Sequence, residues 1–464
     1  MQMISRSIGI ASLSLCGLCL CVLTAQSRQA ASEFDTNQKT GALLQIDSLL
    51  EQKYVLGDKA KNFARSFHEF WTSGALDSAT EPRQFAERVT ARLREITGDQ
   101  HFLFRMVESS DIGETAESAL HHPVRYYRLR VKENTGFSKL AWLDGNIGLL
   151  ELRRFNAFAE AKEMMAAAMT FLANADAIIL DIRENGGGSG DYLSSYFLPY
   201  PTQLTGSYSR QDDYLTQSWT IGDVGTARQT EVPLFVLTSK RTFSAAEAFA
   251  YDMKVRKRAT LIGEPTKGGA HSVDLFKVGD RFEIYIPTER AVNPVTGGNW
   301  EGTGVLPDVA VPAAAALDTA LVLARKGAMT FGEKKEATLK RIIAEMEGHL
   351  RRAEDFYGRR DEQAGKAALD SIFSVGKESG MLTEFFVDVL AYNFTSKGQE
   401  PILYAILQKN IELFPRSATA YETLAYASFR NGSNDQAIAA YKRVLELDPG
   451  NKNAEAMLVR LQQK

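Results

Sequence analysis

Short apolar runs alternate with helical segments through the middle of the chain, and this alternation constrains the fold more than any other feature. The runs "NIGLLELRRF", "AIILDI", "LFVLTS" and "ATLIGE" are separated by stretches of helical character, among them residues 157–172. Such alternation is typical of strand–helix–strand units on a mostly parallel sheet. We therefore predict an α/β core over residues 105–315, which closes with the strand pair "VDLFKVGDRFEIYIPT" and a Gly/Pro-rich loop.

The region before this core is predicted to be helical. Apolar residues recur at helical spacing at Phe85, Val89 and Leu93, and the pattern stops at "TGDQH". We expect an N-terminal helical segment over residues 34–104.

The region after the core is predicted to be an all-α domain. Pro415 and Pro449 lie 34 residues apart, which is the period of tetratricopeptide repeats, and Leu424 occupies the leucine position of that repeat. We predict a helical linker over residues 316–380 and repeats over residues 381–464. An ordinary helical bundle is the alternative. Repeats of this kind are expected to contact another protein or the neighbouring domain.

The N-terminus has the pattern of an export signal. Arg6 precedes an apolar stretch from Ile8 to Ala25, and "AQS" supplies small residues after it. We predict a signal peptide over residues 1–27, a secreted or periplasmic location, and no integral membrane domain after its removal. The alternative is an uncleaved anchor, since the apolar stretch is near the minimum length that spans a membrane.

Composition narrows the classes of partner and cofactor. The net charge is −3 and there are no long basic runs, which argues against a nucleic-acid partner. The three cysteines all lie in the predicted signal, at Cys16, Cys19 and Cys21. The rest of the chain therefore has no disulfide and no thiolate metal site, and the sequence predicts neither a cofactor nor a metal. The length of 464 residues allows two to four domains.

A serine stands where a predicted strand gives way to a helix. Ser244 follows the apolar run 232–237 and directly precedes a small-residue helical segment in "TFSAAE". One interpretation is an N-cap, because serine commonly accepts a backbone N–H at that position. The other is a nucleophile, because a strand-to-helix corner exposes the Oγ and gathers unpaired backbone N–H groups.

Three further stretches contain residues that could take part in binding or catalysis, and each also has a purely structural interpretation. "LDIRENGGGSG" ends a buried strand in glycines whose N–H groups could bind a phosphate or an oxyanion, or could simply form a tight turn. His101 follows a helix end, where it is a C-cap or core residue or else a base. Glu301, in a glycine-rich loop, is a solvated charge or a carboxylate that orients an imidazole.

Four motifs in this order resemble the tail-specific, C-terminal-processing serine peptidases: "LDIRENGGG", "TFSAAE", "LIGEPTKGGA" and "NWEGTGVLPD". "LREITGDQH" before them is similar to the helical segment of the branch with tricorn-type cores and interphotoreceptor retinoid-binding protein modules. The resemblance covers roughly residues 40–315. It implies a crotonase-like α/β fold and a peptide or protein substrate.

The resemblance also implies one of two catalytic arrangements. In the Ser–Lys branch a lysine closes the stretch that reads "GEPTKGGA" here, but Gly269 takes its place and Lys267 lies two residues earlier. In the tricorn-like branch the motif positions fall on Ser244, His101 and Glu301, which favours a Ser–His–Glu peptidase. Gln100 departs from that branch, whose tricorn core has a serine before the histidine.

In this scheme His101 is the base, Glu301 fixes the imidazole, and backbone N–H groups of Gly186, Gly187 and Ala245 form the oxyanion hole. His271 is the rival base, being close to the nucleophile in sequence. The alternative function is a non-proteolytic module that binds apolar ligands or peptides on the same fold.

Overall fold

The computed structural model describes residue 34 and residues 36–107, 131–395 and 398–463. The predicted signal peptide and the predicted strand "VRYYRLRV" lie outside the described residues, apart from the last residue of the latter. Among the described helices, none is long and apolar enough to span a membrane.

The core contains two sheets, and its first sheet confirms the predicted parallel α/β arrangement. Its strands are β2 (Phe137–Leu143), β3 (Ile147–Leu152), β4 (Ala177–Asp181), β7 (Leu234–Thr238), β8 (Ala259–Gly263) and β11 (Val309–Ala310). They lie side by side in the order β11, β8, β7, β4, β3, β2, and every neighbouring pair is parallel except β2 with β3.

Both faces of the central strands β3, β4 and β7 are buried, which explains why these strands are continuous apolar runs. Ile178 and Leu180 of β4 pack in one cluster with α4 (Phe158–Phe171), α5 (Asp191–Phe197) and α6 (Ala245–Val255). Ala177 and Ile179 point the other way and pack against the start of α7 (Ala316–Gly358). That helix presents a stripe of alanines at four-residue spacing, namely Ala316, Ala320, Ala324 and Ala328. The small side chains let the helix lie close to the sheet.

The second sheet is antiparallel and carries the N-terminal helices. It contains β1 (Leu103–Met106), β5 (Gln203–Ser209), β6 (Tyr214–Trp219), β9 (His271–Val278) and β10 (Phe282–Val292). The strand pair predicted from "VDLFKVGDRFEIYIPT" is thereby confirmed. The helices α1 (Thr36–Lys53), α2 (Gly57–Thr72) and α3 (Pro82–Thr97) share a hydrophobic cluster with this sheet.

The chain divides into two compact units, Met1–Phe331 and Gly332–Lys464. The described part of the second unit is helical, as predicted. After α7 it contains α8 (Glu362–Glu378), α9 (Glu384–Tyr392), α10 (Glu400–Leu413), α11 (Ala418–Arg430), α12 (Asn434–Leu447) and α13 (Lys452–Gln462).

The helix starts in the second unit follow the period seen in the sequence. Helices α9, α11 and α13 begin 34 residues apart, and so do α10 and α12. The pairs α9–α10 and α11–α12 share a buried core with α8 and α13. Their assignment to tetratricopeptide repeats, and the boundaries at residues 315 and 380, stay predictions.

The fold gathers loops at one edge of the first sheet. The glycine turn follows β4, Ser244 follows β7, and the loop 264–270 follows β8. These three strands are parallel neighbours, so their carboxyl ends lie side by side. Such an edge is where open α/β sheets place their binding sites.

Candidate active site

Ser244 lies at the sharp corner between β7 and α6. Its backbone has φ 57° and ψ −123°, a conformation that costs free energy for any residue with a side chain. It is the N-cap residue of α6, so both the capping and the nucleophile interpretations predicted its position. Ala245 is the first residue of the helix, and its backbone N–H therefore has no partner within the helix.

A buried carboxylate holds this corner in place. Glu247 has no exposed surface and accepts the backbone N–H of Ser244 at 2.8 Å. It also accepts the Thr266 hydroxyl at 2.5 Å and the N–H groups of Gly268 and Gly269 at 2.6 and 2.9 Å. Burial raises the pKa of Glu247, and the hydrogen bonds oppose that rise. Glu247 thus ties the serine corner to the loop that follows β8.

The glycine turn packs directly on the serine. A Cβ atom placed on Gly187 would lie 2.8 Å from Cβ of Ser244 and 3.1 Å from the nitrogen of Ala245, so no side chain fits there. The N–H of Gly187 donates to Oδ1 of Asn185 at 2.9 Å, within the turn itself. A Cβ on Gly186 would meet nothing within 4 Å, and the described residues offer its N–H no partner.

His101 lies beside the residue that precedes the serine. It follows Gly98, the left-handed C-cap of α3, and its imidazole stacks on the ring of Phe243 with centroids 4.4 Å apart. The side chain is 9% exposed, and neither ring nitrogen has a hydrogen bond to any described residue.

The imidazole fills the space that a side chain at position 269 would need. A Cβ on Gly269 would lie 2.5 Å from Cε1 of His101 and 2.2 Å from the ring of Phe243. A lysine at 269, as in the Ser–Lys branch, would displace both rings. The site therefore accommodates His101 or a long side chain at 269, but not both in these positions.

Asp99 lies between two histidines, and sequence reasoning missed it. Its carboxylate is 2.6 Å from Nδ1 of His271 and 3.6 Å from Nδ1 of His101, and it accepts the His101 backbone N–H at 3.0 Å. Burial pushes the pKa of Asp99 up. The interactions with both histidines outweigh burial and hold the pKa well below its usual range. The only sequence signal was an acidic residue two positions before His101.

Glu301 reaches the same cluster from the loop before β11. Its Oε2 accepts the Ala270 N–H at 2.5 Å and lies 3.7 Å from Nδ1 of His271, while Oε1 is buried without a partner among the described residues. Burial, together with the charge of Asp99, raises the pKa of Glu301 to about 6. The ion-pair contact of Glu301 is thus with His271, and that of His101 is with Asp99.

Lys267 is the lysine that a Ser–Lys arrangement would have to use. Its Nζ is 4.5 Å from the centroid of the Phe243 ring, and its backbone N–H donates to Thr242 at 3.0 Å. Burial lowers the pKa of the Lys267 amine, and the positive charge of Arg94 lowers it further.

Comparison with known proteins finds two adjoining family matches. Residues 146–311 match the model of peptidase family S41. Residues 34–140 match the model described as the N-terminal domain of that peptidase in eukaryotic IRBP.

Two curated relatives are similar over part of the chain. The carboxyl-terminal-processing peptidase 2 of Arabidopsis thaliana, from the chloroplast, is 31% identical over 40% of this chain and 37% of its own length. A carboxyl-terminal-processing protease of Synechocystis is 31% identical over 36% of this chain and 38% of its own length. The chain thus spans less than two fifths of the length of these relatives.

A search of solved structures gives remote likenesses. One is to the photosystem II D1 C-terminal processing protease, with a TM-score of 0.38 and 17% identity over 60% of this chain and 94% of that one.

Proposed function

The chain belongs to peptidase family S41, and from this premise we propose that it is an exported serine endopeptidase in which His101 activates Ser244. The observation that carries the proposal is the strained corner at Ser244, enclosed by the glycine turn on one side and by Glu247 on the other. A capping serine needs neither the positive φ nor a glycine backbone packed against its Cβ. A nucleophile needs an exposed Oγ with unpaired N–H groups beside it.

The proposed base is His101. A serine hydroxyl is too weak a nucleophile at neutral pH unless a neighbouring group takes its proton. His101 has two buried ring nitrogens without partners among the described residues, one to face the hydroxyl and one to face a carboxylate. Its ring stacks on Phe243, the residue that precedes the proposed nucleophile. The Ser244–His101 hydrogen bond would form as substrate binds, since such bonds are often long in unliganded enzymes.

Two carboxylates are proposed to stabilise the imidazolium that forms. Asp99 is the nearer, at 3.6 Å from Nδ1 of His101, and is held in its ionised form. Glu301, for which the family pattern implies this role, is close enough for its charge to interact with that of His101. We therefore assign ring orientation to Asp99 and supporting charge to Glu301.

The oxyanion is proposed to lie between the glycine turn and the helix start. The N–H of Ala245 has no partner within α6, and the N–H of Gly186 has none among the described residues. Gly187 contributes mainly its lack of a side chain, because its N–H already bonds Asn185. Loss of one oxyanion donor typically costs about 3 kcal/mol of transition-state stabilisation.

Export and the role of the second unit complete the proposal. We propose cleavage of the signal near residues 25–27, on the Arg6–apolar–"AQS" pattern. We also propose that the helical pairs of the second unit bind a protein partner, on their 34-residue period.

The test is digestion of a mixed peptide library by the purified full chain, read by mass spectrometry. The matched control is Ser244→Ala purified in the same way. We expect cleavage within peptides by the parent protein and none by the variant. No cleavage by a folded parent protein, or equal cleavage by both, would overturn the proposal.

A further inference from the structure

The buried cluster of Asp99, His271 and Glu301 has the composition of a transition-metal site. Asp99, His271 and Glu301 each offer one ligand atom, and these atoms lie within 4.8 Å of one another. The side chains of Asp99 and His271 are 1% and 3% exposed, and that of Glu301 is 18% exposed. Imidazole nitrogen together with carboxylate oxygen is a ligand set that suits zinc.

Several buried polar atoms near this cluster have no partner among the described residues, so before substrate binds their lone pairs are available to an ion. His101 is nine-tenths buried, and neither of its nitrogens is hydrogen-bonded within the described residues. Its Nδ1 lies 3.6 Å from Oδ1 of Asp99, at the margin of the cluster. Oε1 of Glu301 is likewise buried and without a partner there. Buried polar atoms are nearly always hydrogen-bonded, so several in one place need an explanation.

Charge and spacing agree with a small cation. Two carboxylates share this buried space, and a divalent ion between them would replace their repulsion with attraction. The ligand atoms are 2.6 Å apart for Asp99 and His271, and 3.7 Å apart for His271 and Glu301. Zinc bonds of about 2.0–2.2 Å place tetrahedral ligand atoms about 3.3–3.6 Å apart. The His271–Glu301 spacing is close to that distance, whereas the hydrogen bond between Asp99 and His271 must open by about 0.7–1 Å to admit the ion.

We propose that Asp99, His271 and Glu301 bind a divalent ion of the zinc class, with His101 as the fourth ligand, and that the bound ion inhibits the peptidase. Metal binding would take a lone pair of His101 and the charge of both carboxylates, which are the groups that activate Ser244. The inhibition rests on the proposed function, whereas the binding does not. Magnesium should not compete, because it requires about six oxygen ligands in octahedral geometry.

The binding test is calorimetric titration of zinc into the Ser244→Ala protein after removal of the proposed signal, which carries Cys16, Cys19 and Cys21, with magnesium as the control ion. We expect one zinc per chain, no heat from magnesium, and at least tenfold weaker zinc binding in His271→Asn and in Glu301→Gln. The matched control is His349→Asn, a histidine on α7 outside the cluster, which should bind zinc as the parent does. Circular dichroism verifies that each variant is folded.

The inhibition test uses peptide hydrolysis by the unmodified chain. Zinc should abolish hydrolysis, EDTA should restore it, and magnesium should leave it unchanged. Absence of zinc binding, or unchanged affinity in a folded His271→Asn protein, would overturn the site. Zinc binding without inhibition would overturn the regulatory half. A chain that binds zinc but never cleaves peptides would contradict the proposed function and leave the metal site standing.

Discussion

Adding one methyl group at Gly269 should disable the site without changing any proposed catalytic residue. A Cβ there would lie 2.5 Å from Cε1 of His101, whereas ordinary contacts begin at 3.4 Å. Gly269 lies outside the left-handed region, so alanine suits its backbone, and the imidazole of His101 and the ring of Phe243 must move instead. The imidazole must shift by about 1 Å, a misplacement that costs on the order of 100-fold in rate. Overpacking of this kind should also cost about 1–3 kcal/mol of folding stability.

The assay is kcat/KM for a cleaved peptide, with thermal unfolding measured on the same samples. The control is Gly41→Ala in α1, where a Cβ would meet nothing within 4 Å and activity should be unchanged. In a His101→Ala background, Gly269→Ala should cost much less activity than in the parent, because only its clash with the Phe243 ring remains. Wild-type activity in Gly269→Ala, or an equal loss in that background, would refute the placement of His101.

Three further predictions concern other parts of the site. Ser244→Ala and His101→Ala should each reduce kcat to the same residual level, and the double variant should be no less active than either. Lys267→Ala should retain most of the rate, and an inactive but folded Lys267→Ala protein would favour a Ser–Lys dyad. Glu247→Gln should lose about 2–3 kcal/mol of stability by urea unfolding, since hydrogen bonds to a buried carboxylate are strong, and unchanged stability would contradict its anchoring role. The raised pKa of Glu301 means that the native state holds its proton more tightly than the unfolded state. The stability of the parent, measured relative to Glu301→Gln, should therefore fall by about 2 kcal/mol as pH rises from 4.5 past 6, and a rise over that interval would contradict the assigned environment.

The fold could largely be predicted because its signals are local. Strands β4, β7 and β8 are short apolar runs bounded by polar turns, and both features are visible within ten residues. The strand pair β9–β10 was equally clear from its alternation. The hairpin β5–β6 was not identified, because its strands carry mixed polar and apolar residues with little periodicity.

The cluster of Asp99, His271 and Glu301 could not be predicted from the residues alone. The contact between Asp99 and His271 joins positions 172 apart in the chain, and each residue has an ordinary local context. Glu247 was visible as the third helix residue after a capping serine, but its bonds to Gly268 and Gly269 depend on how β8 lies beside β7. Family resemblance supplied Ser244, His101 and Glu301 as a set, and their roles remain proposals.

The measurement that tests the central claim most directly is the rate at which a fluorophosphonate probe labels the protein, with the labelled residue located by mass spectrometry. We predict a single adduct on Ser244. Labelling of His101→Ala should be slower by about 10³-fold or more, because the hydroxyl then lacks its base. An adduct on another residue, or unchanged labelling in a folded His101→Ala protein, would contradict the account.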